Sequence, residues 1–321
     1  MELGIVCDHC HSAILDNRSY RYHTLCQRCQ RQPKKNQNHQ KEMKYSIITV
    51  NFNNKEGLRQ TIESVIHQTY RDFEFIVIDG GSTDGSVDVL KEYDSQIDYW
   101  VSEPDGGIYQ GMNKGIKKAS GEYLNFMNSG DCFYSSDVLE IVTSYQSGAD
   151  FIVGKDYHYN NETHRGHASI QPPRTTMIHF FVATLDHQSS FIKRDLFNDS
   201  LYDESHRLVS DWIFFTEKIV KEGKQVQFIP NIICRREEGG LSEQQCKKNR
   251  QEINDYLHKL LPDGIYQDYA TLAKLDKTSI YRLFAICDNQ KTRMMLIVCI
   301  KVINQLYASL TKWGRTAPPI G

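Results

Sequence analysis

The feature that most constrains this chain is an alternation of short apolar strands and amphipathic helices that begins at Tyr45. The segments Tyr45–Asn51 and Phe73–Asp79 are rich in β-branched and aromatic residues, and a helical pattern of apolar residues follows each of them. Tyr99–Val101 and Glu122–Asn128 continue the pattern as further strands. This alternation predicts an α/β fold, with a mostly parallel sheet and helices on both faces.

The remaining predicted elements are less regular. Helices are expected at Leu58–Ile66, Ser86–Tyr93, Met112–Ala119, Val138–Tyr145 and Asp211–Lys221, and within residues 250–313. Later strands are expected at Phe151–Val153, Ser190–Lys193 and Val226–Ile229.

Composition limits the class of protein. The chain has 321 residues, of which 40% are hydrophobic and 24% charged, so it can bury a sizeable core in one or two domains. A net charge of −2 lacks the basic excess of dedicated nucleic-acid binders, so no nucleic-acid partner is expected. The first residues do not resemble a secretory signal, and the longest apolar stretch is too short to span a bilayer. We therefore expect a cytoplasmic protein.

Four of the nine cysteines form two CxxC pairs near the N-terminus: Cys7, Cys10, Cys26 and Cys29. This spacing is typical of ribbon-type Zn²⁺ sites, in which each CxxC turn presents two thiolates to one tetrahedral ion. His23 is a fifth candidate ligand. The alternatives to a zinc site are a redox CxxC motif and a chance cluster of cysteines. Four protein ligands leave no open coordination position, so the zinc would be structural.

Composition also suggests domain boundaries. We expect a zinc module at residues 1–29, a polar linker at 30–44, an α/β domain at 45–245 and a helical extension at 246–321. The module has few clustered basic residues, which favours protein docking or a structural cap over nucleic-acid binding.

Acidic side chains follow three of the predicted strands. Asp79 ends the second strand, Glu103 and Asp105 follow the third, and Asp131 follows the fourth. In isolation the segment from Asp79 to Gly85 is also compatible with a simple turn. Because the carboxyl ends of parallel strands meet at one sheet edge, these carboxylates should converge and repel unless they share a cation or another ligand. A hard divalent ion that carries phosphate oxygens would meet this need.

Five motifs in order resemble the family-2 glycosyltransferases of the GT-A fold: TVNFNN, DGGSTDGS, EPDGGIYQGMNKGIKKASGEYLNFMNSGD, HQSSF and SDW. The resemblance covers roughly residues 44–233 and is strongest to bacterial enzymes of surface-polysaccharide assembly. It implies transfer of a sugar from a nucleoside-diphosphate donor to a glycan or lipid-linked acceptor, with inversion at the anomeric carbon.

The resemblance also implies roles for individual residues. Those that match positions of the nucleotide-sugar site are Thr49, Asn51, Asp79, Ser82, Asp84, Asp105, Asn113, Lys114 and Asn128. Family members usually carry an Asp-x-Asp metal motif after the fourth strand. Here Asn128, Gly130 and Asp131 occupy that register, which leaves Asp131 as the expected ligand for Mn²⁺ or Mg²⁺.

Asp211 matches the catalytic base of the family, and His187 with Gln188 matches a pair that faces the acceptor. Without the resemblance, Asp211 would be interpreted as a helix cap and His187 as a core residue. Arg235 or Arg236 could stabilise the donor diphosphate.

Two other functions compete with this interpretation. A nucleotidyltransferase would carry a glycine-rich loop directly after the first strand, and Asn51–Lys55 lacks one. An inactive scaffold that serves as a zinc-dependent interaction protein is favoured by the missing acids at Asn128 and Gly130, but disfavoured by the acids that remain.

The segment Arg293–Trp313 has too few consecutive apolar residues to cross a bilayer, yet it is more apolar than an ordinary surface helix. Basic residues along it and the aromatic side chains of Tyr307 and Trp313 suit a membrane interface. We expect either a helix that packs on the α/β domain or one that holds the protein peripherally at the inner face of the cell membrane.

Overall fold

One mixed sheet organises the part of the chain that the computed structural model describes, which is residues 45–145, 148–237, 246–275 and 277–315. The expected zinc ligands Cys7, Cys10, Cys26 and Cys29 and the linker at 30–44 lie outside these ranges.

Nine strands make up the sheet within the described residues. They are β1 (Tyr45–Asn51), β2 (Phe73–Asp79), β3 (Tyr99–Ser102), β4 (Tyr123–Phe126), β5 (Cys132–Phe133), β6 (Phe151–Asn160), β7 (Arg165–Ala168), β8 (Ser190–Lys193) and β9 (Val226–Glu237). Their order is β3-β2-β1-β4-β8-β6-β9-β5, and β7 pairs with β6.

The sheet is mixed, which corrects the prediction of a mostly parallel one. The first four strands are parallel, as expected, but β8 runs antiparallel to both β4 and β6. The pairings of β6 with β7 and of β5 with β9 are also antiparallel. The βαβ rule applies only where a helical crossover joins neighbouring strands, and the helix–strand alternation becomes irregular after β4.

The helices are α1 (Lys55–Ile66), α2 (Ser86–Glu92), α3 (Ile108–Lys118), α4 (Val138–Ser144), α5 (Met177–Val182), α6 (Ser210–Phe215), α7 (Cys246–Leu260), α8 (Asp263–Leu272), α9 (Lys277–Asp288) and α10 (Gln290–Arg315). A π-helical segment, Thr216–Lys221, continues α6.

The core consists of two apolar clusters, one on each face of the sheet. Every residue of β1 is buried, and successive side chains point to opposite faces, so Ile47 and Ile48 belong to different clusters. Ile47 packs with residues of α1 such as Leu58, whereas Ile48 packs with residues of α3 such as Met112.

Two glycines let α3 pack closely on the sheet. A Cβ atom at Gly111 would lie 2.7 Å from the Val50 side chain, and one at Gly115 would lie 2.5 Å from that of Ile48. The helix therefore contacts β1 through its backbone, and its first turn lies near the carboxyl ends of the parallel strands.

Helices α7, α8 and α9 add side chains to the core beneath α3. Leu257 and Ile280 are buried in the same cluster as Phe180 and Trp212. The four C-terminal helices agree with the helical character expected after residue 246. Helix α10 differs, because apolar residues from Met294 to Leu306 are exposed on it. No helix in the described residues combines the length and apolar character that a bilayer crossing requires.

Candidate active site

The Asp79 carboxylate organises the carboxyl ends of β1, β2 and β3. It is fully buried and accepts hydrogen bonds from Nδ2 of Asn51 (2.6 Å), Oγ of Ser102 (2.6 Å) and Oγ of Ser82 (2.6 Å). The backbone N–H groups of Gly81 (3.2 Å) and Ser82 (2.9 Å) donate as well. Burial alone would raise the pKa of Asp79, but these hydrogen bonds outweigh it and lower that pKa, so the carboxylate is ionised.

The loop after β2 is fixed to the start of α1. Oγ of Ser82 accepts a hydrogen bond from the backbone N–H of Asn53 (2.7 Å), and the Asp84 carboxylate accepts one from that of Lys55 (2.8 Å). Thr49 donates its hydroxyl to the carbonyl of Met127 after β4 (2.7 Å). A buried, hydrogen-bonded layer thus contains Thr49, Asn51 and Asp79, which sequence analysis assigned to the nucleotide-sugar site.

Beside this layer lies an exposed aromatic side chain. The Phe52 side chain is 64% exposed directly after β1. A Cβ atom built on Gly80 would lie 3.2 Å from the Phe52 ring and 3.1 Å from the Asp105 carboxylate, so these three residues are neighbours. The backbone N–H of Gly107 donates to Asp105 (3.0 Å). Sequence analysis assigned Asp105 to the nucleotide-sugar site but gave no role to Phe52, whose only signal was an aromatic residue at the end of a strand.

Asn113 and Lys114, which sequence analysis assigned to the nucleotide-sugar site, both make contacts within the chain. Asn113 is 2% exposed, and its amide nitrogen donates to the carbonyl of Tyr202 (2.8 Å) and to Glu204 (2.9 Å). Lys114 forms a 2.8 Å ion pair with Glu103. Because both donor hydrogens of the Asn113 amide are used, this residue holds the Tyr202 segment against α3.

A second group of polar side chains centres on Asp211, at the start of α6. Oδ2 of Asp211 lies 2.8 Å from Nδ1 of His187, and Oδ1 accepts a hydrogen bond from the Tyr109 hydroxyl (2.7 Å). Nδ2 of Asn128 lies 3.0 Å from Nε2 of His187. When Asn128 donates to Nε2, the ring proton is on Nδ1 and points to Asp211. One chain of contacts thus connects Asn128, His187, Asp211 and Tyr109.

The Asp211 carboxylate is held in its charged form. Burial would raise the pKa of Asp211, but the hydrogen bonds from His187 and Tyr109 outweigh it and lower that pKa. An ionised carboxylate that contacts an imidazole can accept a proton from a hydroxyl group placed beside it. Sequence analysis identified Asp211 and His187 but not Tyr109, since sequence separation hides the contact between α3 and α6.

Asp131 lies beyond β4 beside the same group. Its Oδ2 accepts a hydrogen bond from Nε2 of Gln188 (2.9 Å). Burial raises the pKa of Asp131, while Gln188 and His187 oppose that rise. The pair of residues His187 and Gln188 therefore connects Asp211 with the expected metal ligand.

A neighbouring cluster has donor atoms suited to a metal ion. One ligand atom each from Asp156, His158 and Asp186 lie within 4.8 Å of one another. Arg236 pairs with Asp156 (3.4 Å) and Asp186 (3.5 Å), whereas the Arg235 guanidinium lies over the Tyr159 ring. Burial and the nearby Asp186 raise the pKa of Asp156 well above its usual value. Asp131 is not a member of this three-residue group.

Comparison with known proteins identifies similar sequences. An uncharacterized glycosyltransferase of Mycobacterium tuberculosis is 47% identical over 104 residues, which are 32% of this chain and 40% of that relative. A Mycobacterium bovis protein named as a PGL/p-HBAD biosynthesis glycosyltransferase is 28% identical over 177 residues, 53% of this chain and 67% of that relative. The chain thus spans less than half the length of the first of these relatives.

Solved structures share the fold. S. aureus TarS in complex with UDP has a TM-score of 0.51 and 19% identity, over 61% of this chain and 60% of that one. The mannosyltransferase PcManGT from Pyrobaculum calidifontis, in complex with GDP-Man and Mn²⁺, has a TM-score of 0.50 and 15% identity, over 84% and 82% of the two chains. The model of glycosyl transferase family 2 matches residues 46–224, more than half of the chain, and the chain belongs to that family.

Proposed function

We propose that this protein is an inverting glycosyltransferase that moves a sugar from a nucleoside-diphosphate donor to a glycan or lipid-linked acceptor of surface-polysaccharide biosynthesis. The observation that carries the proposal is the placement of an ionised Asp211, held by His187 and Tyr109, near the polar end of the parallel strands. Family membership and fold relatives with bound UDP and GDP-Man support the donor class.

The donor base would bind at the surface formed by Phe52, Gly80 and Asp105, which we call the donor groove. An exposed aromatic ring offers a stacking surface to any nucleobase, and the Asp105 carboxylate can accept hydrogen bonds from a base or ribose. The role of Asp79 would then be indirect, because its carboxylate already accepts five hydrogen bonds that shape the groove floor. Ser82 and Asp84 would act in the same way, through the loop that they hold.

A divalent cation would fit the group of charges around Asp131. The carboxylates of Asp131, Asp156 and Asp186 interact electrostatically with one guanidinium, that of Arg236. Carboxylate oxygens with an imidazole nitrogen, such as that of His158, suit Mn²⁺, and oxygens alone suit Mg²⁺. We propose Asp131 as the ligand nearest to the donor; a bound cation would offset the negative charge of the departing nucleoside diphosphate.

Asp211 would act as the general base. Inversion requires that a carboxylate takes the proton of the acceptor hydroxyl while its oxygen attacks the anomeric carbon from the face opposite the leaving group. His187 would hold the orientation of Asp211, and Asn128 that of His187. The base is ionised before the acceptor arrives, because its hydrogen bonds lower its pKa.

Substitution of the base provides the test. Asp211→Asn should keep donor binding but slow sugar transfer roughly 10²- to 10⁴-fold, the usual range for loss of a general base. A panel of nucleotide sugars first identifies the donor through thermal stabilisation of the full chain. Asp88→Asn, at an exposed position of α2, is the matched control and should transfer at the wild-type rate.

Two outcomes would contradict the proposal. Near-wild-type transfer by a folded Asp211→Asn protein would remove Asp211 as the base. If no nucleotide sugar stabilised the wild-type chain, the alternative of an inactive scaffold for protein interactions would be favoured instead.

A further inference from the structure

A stripe of polar side chains runs along helix α1 and faces the chain that follows β4. Its members are Asn54, Thr61, Ser64 and Gln68. Their spacing places them on one face of the helix and its two ends, and each of them bonds to backbone groups within residues 128–135. Asn54, for example, donates to the carbonyl of Ser129 (3.0 Å), and Ser64 accepts from the N–H of Phe133 (3.2 Å). The stripe therefore holds the segment that contains the expected metal ligand.

Thr61 is the fully buried centre of this stripe. Its hydroxyl donates to the carbonyl of Asp131 (2.7 Å) and accepts a hydrogen bond from the N–H of Gly130 (3.0 Å). The carbonyls of Gly57 and Asn128 lie further from it, at 3.0 Å and 3.2 Å. Because a hydroxyl has one proton, the shortest of these contacts, to Asp131, identifies its principal acceptor.

The backbone bonded to Thr61 is a tight turn from Asn128 to Asp131, which we call the 128–131 turn. The N–H of Asp131 donates to the carbonyl of Asn128 (2.9 Å), and Gly130 has a φ of +100°. This left-handed conformation favours glycine, because a Cβ atom would be strained there. An acidic residue at position 130, where the Asp-x-Asp motif would place one, would therefore strain the turn.

Both ends of the 128–131 turn belong to the candidate active site. The Asn128 amide lies 3.0 Å from Nε2 of His187, whose other ring nitrogen contacts Asp211. The Asp131 carboxylate accepts a hydrogen bond from Gln188 (2.9 Å). A change in the backbone of this turn would therefore move the proposed cation ligand and the residue that orients His187 together.

We propose that Thr61 is a positioning residue of the transfer reaction, because its hydroxyl fixes the turn that carries Asn128 and Asp131. This rests on the proposed function, since it assigns a support to the residues that would hold the cation and the base. Without the hydroxyl, the N–H of Gly130 and the carbonyl of Asp131 would lose this buried partner, and the turn would have to rearrange to find others. Thr61 acts through the turn and does not touch the substrate.

Thr61→Val removes the hydroxyl and keeps a branched side chain, so it tests the proposal directly. In calorimetric titrations with Mn²⁺, run on the full chain with saturating UDP or GDP, this variant should bind the cation about ten- to a hundredfold more weakly, the usual effect of losing a group that orients a metal ligand. Thr61→Ser keeps the hydroxyl and should bind Mn²⁺ like the wild type. Thr143→Val is the matched control, because it removes a helical hydroxyl that contacts Leu139 and Tyr45 instead of the turn, and it should also bind like the wild type.

Hydrogen exchange of the turn is a second readout, which requires neither the cation nor activity. The amide of Gly130 should exchange faster in Thr61→Val than in the wild type, because its acceptor is lost. Mass spectrometry of peptides that contain residues 128–131 measures this rate. Thr61→Ser should restore the slow exchange, and Thr143→Val should not change it.

Gly130→Ala disturbs the same turn without changing Thr61. Its Cβ would sit at a φ of +100° and 3.3 Å from the Asn54 amide, so Mn²⁺ binding should weaken as in Thr61→Val. Gly223→Ala is the control for backbone strain, because Gly223 has a φ of +70° and a Cβ there would meet nothing within 4 Å. It should bind Mn²⁺ like the wild type.

The proposal is overturned if folded Thr61→Val and Thr143→Val bind Mn²⁺ equally well, or if Thr61→Ser is as weak as Thr61→Val. If Thr61→Val does not fold, equal Mn²⁺ affinities of Gly130→Ala and Gly223→Ala would overturn it instead. Failure of the proposed function has a different signature, because the wild-type chain would then bind neither UDP nor GDP. In that case Thr61 would keep only a structural role.

Discussion

Asp211 shows how the surroundings of one residue decide between a structural and a chemical role. Asp211 does not cap α6, because the N-cap of that helix is Val209. The Oδ1 of Asp211 accepts a hydrogen bond from the N–H of the next residue, Trp212 (2.8 Å). The additional contacts from Tyr109 and His187 come from distant parts of the chain and fix the direction of the carboxylate. Fixing the carboxylate costs side-chain conformational entropy, and such a cost is expected for a group that takes part in a reaction.

Tyr109→Phe tests whether the tyrosine positions that base. The substitution removes a hydrogen bond that lowers the pKa of Asp211, so that pKa should rise. Since the base works only when ionised, kcat/KM falls as the pH drops through its pKa, and the variant should lose activity at a higher pH than the wild type. We expect about tenfold slower transfer at neutral pH, with unchanged donor binding.

The measurement is a pH profile of kcat/KM for both proteins. Tyr134→Phe, a change at an exposed tyrosine, is the control and should keep the wild-type profile. An equal loss of activity at every pH would show that Tyr109 has only a packing role.

Phe52→Ala tests the donor groove. Because the ring is exposed, its removal should leave the midpoint of thermal unfolding unchanged. Loss of stacking should weaken nucleoside-diphosphate binding by about 1–3 kcal/mol. Tyr134→Ala removes another exposed aromatic ring and should have no effect on binding. Equal affinities in calorimetry of the wild type and Phe52→Ala would place the base elsewhere.

At the scale of single residues, the positions of the carboxylates were easier to predict than their contacts. Strand ends can be recognised from burial patterns, so Asp79, Asp105 and Asp131 were expected at or after the ends of strands, where the structure has them. Which side chains face inward depends on packing, so the enclosure of Asp79 and Asn113 was not foreseen. Tyr109 was missed for the same reason.

At the scale of elements, the close contact of α3 with β1 positions the first turn that carries Tyr109. Gly115→Ala would place a methyl group 2.5 Å from the Ile48 side chain, so the helix must shift or its neighbours must rearrange. We expect a loss of about 1–3 kcal/mol in the free energy of unfolding, measured with urea. At Gly264 in α8 a Cβ would meet nothing within 4 Å, so Gly264→Ala should be neutral or stabilising. Comparable destabilisation of both variants would refute the packing argument.

The elements that the sequence predicted well are those formed by a continuous run of buried apolar residues. β1 and β2 match their predicted bounds, because buried apolar runs with turns on both sides have few alternatives. β5 has two residues and was missed, while α5 is a short apolar run that periodicity cannot assign to a helix or a strand. β6 extends to Asn160, well beyond its predicted end at Val153, since its later residues are polar and pair with β7 and β9.

At the scale of the whole molecule, the C-terminal helices share the hydrophobic core of the α/β fold. Leu257 of α7 and Ile280 of α9 are buried with Trp212 of α6, the residue next to the proposed base. A boundary near residue 246 therefore separates two kinds of secondary structure, while the hydrophobic core continues across it.

The N-terminal cysteines lie outside the described residues, and zinc binding remains a prediction from their spacing. Elemental analysis of the full chain should find zinc at about one ion per chain, because two CxxC pairs complete one tetrahedral site. Cys10→Ser should release it. Cys287→Ser, at a cysteine outside the cluster, should keep it. A wild-type chain purified without zinc, and unable to bind it when titrated, would contradict the prediction.

Helix α10 is expected to contact a membrane surface. Its exposed apolar residues include Met295 (68%) and Ile303 (61%), and Arg293 and Lys301 supply positive charge on the same helix. Such a helix can bury apolar side chains at a lipid interface while its cations attract anionic headgroups. Full-length protein should sediment with anionic liposomes, and Met295→Glu/Ile303→Glu should sediment less. Ile170→Glu/Ile265→Glu makes the same change at exposed positions outside α10 and should behave like the wild type. Binding should weaken as salt screens the basic residues, and a full-length protein that stays in the supernatant at low salt would exclude a membrane role for α10.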